Sequence, residues 1–182
     1  MTDKNYALAA AFALALGACN SATPAVVDSP DRLMHNDFEQ AVGWGGAGEG
    51  SLTTTKAHSG KWSVQVTPSI PFGFTFERTL GGLAAQLPHK MRLQGWALRT
   101  TPGSNAQVVV QVNASATDTT KIFYAALPLA NTVREFDKWQ EVSLPFTLPA
   151  TAAPGNIVKI YLWRDQATTP AYLDDVALFI EK

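Results

Sequence analysis

Two carboxylates stand side by side near the C-terminus, in the run Tyr172-Leu173-Asp174-Asp175-Val176-Ala177-Leu178-Phe179. The rest of the run is apolar and reads as a strand. A charge in such a run is costly unless it is paired, hydrogen-bonded or bound to a metal. Adjacent aspartates suggest an acid/base pair, a cation site or a solvated edge. Alternation along a strand sends neighbouring side chains to opposite faces. Unless a bulge intervenes, Asp174 and Asp175 cannot share a proton or flank one glycosidic bond, which takes two facing carboxyls. A hard cation held by oxygen ligands suits one of them better.

His58 and Ser59 form the other reactive pair. They are neighbours in a turn before a strand, with no nucleophile elbow, and neither His35 nor His89 has an orienting acid in motif form. A turn histidine is expected there, not a triad. No His or Cys pair has the spacing of a zinc site. The glycine run from Gly43 to Gly50 lacks the Lys-Ser/Thr ending of a phosphate loop, and no helix follows it. Basic and acidic residues number 14 and 15, a balance that leaves no footprint for nucleic acid. Hydrolytic, redox and phosphate chemistry all lack a constellation, so an enzyme is not expected.

The single cysteine, Cys19, follows a short apolar run that begins at Tyr6. The run is too short to span a bilayer and fits the apolar region of a signal peptide. Leu16-Gly17-Ala18-Cys19 resembles the lipobox of bacterial lipoproteins. That resemblance implies a signal peptide over 1–18, cleavage before Cys19, a diacylglycerol on its sulfur and a tether over 19–32. The chain is then exported and lipid-anchored in a bacterial cell envelope, with the membrane as a partner through the lipid. Asn20 is not the aspartate of inner-membrane retention in enteric bacteria, which points to the outer membrane.

Ser63–Thr67, Gly73–Arg78, Arg92–Leu98 and Gln107–Asn113 alternate or read as strands, as do Lys121–Ala126, Gln140–Phe146, Val158–Trp163 and Tyr172–Ile180. Glycine, proline and asparagine separate them, and only a short turn around 82–86 has any helical character. Many short strands without helices argue an all-β chain, an antiparallel β-sandwich or jelly roll of two sheets, over 33–182. In Gln107–Asn113 one face is Val108, Val110 and Val112, plainly core. Phe72, Phe74 and Phe76 alternate and are expected mostly in the core, and Trp44, Trp62 and Trp139 in packing.

Asn36-Asp37-Phe38-Glu39, His58-Ser59-Gly60 with Trp62, the strand carrying Trp96, Lys138-Trp139 and the final Asp174-Asp175-Val176 occur in that order. Their order and spacing resemble the jelly-roll carbohydrate-binding modules of families 4, 9 and 22. The resemblance covers 33–182. It implies non-catalytic polysaccharide binding on one sheet and a structural calcium ion joining the first strand to the last. The matching calcium positions are Glu39, Asp174 and the backbone from Lys56 to Ser59, with Asp175 as the weaker alternative to Asp174. Sugar binding takes rings that stack on pyranose faces and polar side chains that meet hydroxyls. The expected cleft has Trp96, where the family places its stacking aromatic, with Arg92, Gln94, Gln111 and Asn113. Tyr124 is its second wall. The mixed face of Lys159, Tyr161, Trp163 and Asp165 lines the same cleft or forms an outer surface, and Trp163 is its candidate ligand contact. The alternative is an envelope lipoprotein with this fold and no sugar cleft, serving a protein partner.

Overall fold

The computed structural model describes residues 29–40 and 48–182. The expected signal peptide, Cys19, most of the tether and Trp44 lie outside the described residues. The strands are β1 (Arg32–Asn36), β2 (Leu52–Thr53), β3 (Ser63–Val66), β4 (Phe76–Thr79) and β5 (Lys90–Arg99). They continue with β6 (Gln107–Asn113), β7 (Lys121–Pro128), β8 (Gln140–Thr147), β9 (Ile157–Trp163) and β10 (Ala171–Ile180). One four-residue helix, α1 (Leu129–Thr132), follows β7, and two short 3-10 turns precede β2 and follow β4.

The strands form two antiparallel sheets. One runs β2-β3-β10-β5-β8, with β1 also paired to β10; the other runs β4-β9-β6-β7. This is the all-β sandwich that the alternating sequence implies. Val108, Val110 and Val112 of β6 and Ile160 and Leu162 of β9 meet Leu93, Val142, Leu173, Val176 and Leu178 of the other sheet. Each such side chain contributes on the order of 1.5–3 kcal/mol when removed from water. Phe74 and Phe76 join this core as expected, whereas Phe72 is 49% exposed.

Phe72 leaves the core for a reason of register. It lies opposite Trp163, and Phe76 lies opposite Ile160. Four steps on one strand face three on the other, so an extra residue reverses the alternation between them. The same device appears in β10. Asp174 lies opposite Trp96 and Ala177 opposite Gln94, three steps against two. Asp175 is in the left-handed region there, at φ 47°.

Candidate functional site

The β10 bulge overturns the expectation that Asp174 and Asp175 face opposite ways. Both carboxylates meet the turn at His58-Ser59. Asp174 Oδ2 accepts the amides of His58 at 2.7 Å and Ser59 at 3.3 Å, and its Oδ1 accepts the amide of Asp175 at 2.8 Å. Asp175 accepts the His58 ring Nδ1–H at 2.6 Å and the Ser59 hydroxyl at 2.7 Å. Asp174 has no solvent exposure. Burial, and then the neighbouring Asp175 charge, push its carboxyl up to about 7 against the amides that hold it down. The Ser59 hydroxyl bonds to the acid and not to the imidazole, so the three residues are not a hydrolytic triad.

The first strand reaches the same turn. Glu39 Oε1 accepts the amides of Lys61 and Trp62, each at 2.7 Å. Gly60, just before them, is at φ +54°, and a Cβ there would collide with the Glu39 carboxylate. Glu39 and Asp174 therefore converge on one turn, as the calcium expectation requires, but that turn offers them amide hydrogens. The Lys56 carbonyl is taken by the Ser63 hydroxyl, and the Lys56 ammonium pairs with Asp137 at 3.1 Å. Calcium takes six to eight oxygens. The donor set of Glu39, Lys56, Asp174 and Asp175 does not fit it.

The turn also covers the face on which the sugar cleft was expected. The His58 ring stacks on Trp96, with centroids 4.0 Å apart and planes within 10°, and meets Trp139 edge-on. On the same face Arg92 pairs with Glu181 at 3.0 Å and lies over the Phe179 ring. Gln94 donates to Glu141. Arg92, Gln94 and Trp96 thus project from the six-stranded sheet, whereas Gln111, Asn113, Tyr124 and Trp163 belong to the four-stranded one. The expected cleft is split between opposite sides of the sandwich, because β5 and β6 are consecutive in sequence but lie in different sheets.

The outer face of the four-stranded sheet gathers the second half of that set with residues not chosen for it. Strand register places Phe72, Trp163 and Gln107 in one row, Tyr161 and Val109 in the next, and Glu77, Lys159, Gln111 and Tyr124 in a third. Phe72 meets Tyr161 edge-on at 5.9 Å. Tyr161 donates its hydroxyl to Gln111 Oε1 at 3.0 Å, and Gln111 Nε2 donates to Asn113 Oδ1 at 2.7 Å. Gln107 Nε2 donates to Asp165 at 2.6 Å, and Lys159 pairs with Glu77 at 2.9 Å. Lys121 lies over the Tyr124 ring, which is 42% exposed. Burial, with Tyr124 close by, pushes the Tyr161 hydroxyl up to about 12, so it stays neutral. Phe72 was hidden from sequence reasoning by its even spacing from two core phenylalanines. Tyr161 and Gln107 were visible in their alternation patterns.

No protein-family model and no curated protein matches the chain. Solved structures do. The tandem CBM22-1–CBM22-2 domain from Paenibacillus barcinonensis Xyn10C superposes with a TM-score of 0.58 at 15% identity, over 87% of this chain and 52% of that one. Its single CBM22-2 xylan-binding domain gives 0.53 at 16%, over 82% and 99%. The C-terminal family 22 module of Clostridium thermocellum Xyn10B gives 0.53 at 15%, over 84% and 96%. The chain has the fold of these binding domains. At such identities the likeness extends to the fold alone.

Two tests follow. Between pH 4 and 7 the folded chain holds a proton on Asp174 that the unfolded chain, near 3.8, has released. This group's contribution to stability is therefore complete below about 4 and is lost as pH rises through about 7. Urea denaturation of wild type and Asp174→Asn at pH 5 and 8 should show wild type losing ground to the variant at the higher pH. A difference independent of pH would contradict the assignment. For the metal, dialysis against EDTA should leave the melting temperature unchanged; a fall that calcium restores would overturn the misfit.

Proposed function

We propose that the chain binds polysaccharide, without cleaving it, on the outer face of its four-stranded sheet. The observation that carries this reading is the grouping of Phe72, Tyr161, Trp163 and Tyr124 with the Tyr161–Gln111–Asn113 hydrogen-bond ladder on one face. Aromatic rings supply platforms for the C–H faces of pyranoses. Tyr161 and the buried Asn113 fix the Gln111 amide between them, so it is oriented before a sugar arrives and little side-chain freedom is lost on binding. Xylan, the ligand named for the similar CBM22-2 xylan-binding domain, is the first candidate ligand. The His58-covered face around Trp96 serves packing in this reading.

Pull-down on insoluble xylan, repeated by titration with soluble oligosaccharide, tests it. Trp163→Ala should weaken binding about tenfold or more, the equivalent of about 1.4 kcal/mol. Trp96→Ala, on the opposite sheet, should leave affinity unchanged at temperatures where it is folded. Loss with Trp96→Ala and retention with Trp163→Ala would place the site on the other face.

The same proposal includes export and lipid attachment at Cys19, supported by the leader sequence before it. A lipid tether would hold the module, and any glycan on it, at the envelope surface. Cells fed labelled palmitate should label the wild-type chain and not Cys19→Ser. Equal labelling, or none in either, removes the anchor.

A further inference from the structure

The flank of the sandwich next to the aromatic face holds a hollow of about 280 Å³. Gly48, Gly50 and Ser51 line one side, and Ser69 and Phe72 the other. The turn Glu49–Ser51 leads into β2, at the edge of the six-stranded sheet. The segment around Phe72 runs along β9 in the other sheet, with Gly73 N donating to Leu162 O and Arg164 N to Pro71 O. The hollow therefore opens between the two sheets, around the corner from the proposed binding face. Phe72 belongs to both places: its ring contacts Tyr161 on the face and walls the hollow.

The wall opposite Phe72 is built, not slack. Gly48 is at φ +133°, and a Cβ there would come within 3.0 Å of the Gly73 carbonyl, so the turn packs directly on that backbone. Ser51 donates its hydroxyl to the Gly48 carbonyl and accepts the amide of Phe74 at 2.7 Å. Gly50, in contrast, has no described residue within 4 Å of its Cβ position. The volume is just under the ~300–1,000 Å³ of ordinary ligand sites, enough for one ring and not for a chain. None of the lining residues carries a charge. A neutral ring with one apolar face against Phe72 suits these walls, and an anionic sugar gains nothing from them.

We propose that this hollow is a side-group subsite. It receives a single neutral sugar that branches from a polysaccharide backbone lying on the aromatic face. The proposal rests on the reading of that face and narrows its ligand to substituted chains. A ring on the flank cannot lie in the plane of rings stacked on the sheet, so it must leave the backbone as a branch.

Gly50→Trp fills the hollow from a position whose Cβ would touch no described residue, and Ser69→Phe fills it from the opposite wall. The probes are a linear xylo-oligosaccharide and the same oligosaccharide carrying single arabinose branches, measured by calorimetric titration on variants whose melting curves match wild type. Wild type should bind the branched probe at least fivefold tighter. Both variants should lose that preference and keep the wild-type affinity for the linear probe. Equal binding of both probes by wild type, or equal weakening of both by Gly50→Trp, would overturn the subsite and leave the face standing. Failure of wild type to bind either probe would remove the reading of the face, and the subsite with it.

Discussion

A buried carboxylate organises one whole side of this molecule. Asp174 sits on the β10 bulge, out of water, and accepts three backbone amides, two of them from the turn at His58-Ser59. An unpaired amide at such a depth costs roughly 1–3 kcal/mol. The turn therefore has one place to go. Glu39 takes the next two amides along, from Lys61 and Trp62, so the end of β1, the turn and the last strand are tied at one point. β3 leaves that turn already aligned to pair with β10.

The consequence is a difference between the two outer faces. On the six-stranded sheet the turn lays His58 against Trp96, and Trp139 closes from the side onto His58 and Tyr172. Aromatic surface there is spent on the protein itself. Among the described residues, no turn lays an aromatic ring across the four-stranded sheet in this way. Its rings stand beside a ladder in which the half-buried Gln111 amide is held by Tyr161 and by the buried Asn113. The carboxylate clasp thereby sets which outer face the His58 turn packs against.

Much of the sandwich was legible in the chain. Val108, Val110 and Val112 declare an inward face by period alone, and β9 repeats the pattern. The failures cluster where one residue is inserted. Asp175 and Phe72 both lie beside a step at which one strand advances further than its partner, and a period-two reading inverts at such a step. No local residue announces it: Asp175 adopts a left-handed backbone that its own amide bond to Asp174 supports. The mixed face of Tyr161 and Trp163 was visible, but its neighbours were not.

Strand existence and inward-facing positions follow from the sequence, because alternation is a local property; the meeting of Glu39, Asp174 and the 56–62 turn was implied only by the resemblance to the carbohydrate-binding modules. Which sheet each strand joins does not follow from alternation. β5 and β6 are joined by seven residues, 100–106, and carry similar mixed faces, yet they pack on opposite sides of the core. That choice depends on long-range pairing of β5 with β8 and β10, and of β6 with β7 and β9. Hydrogen bonds between strands distant in sequence decided that Trp96 stands on one sheet and Tyr161 and Trp163 on the other.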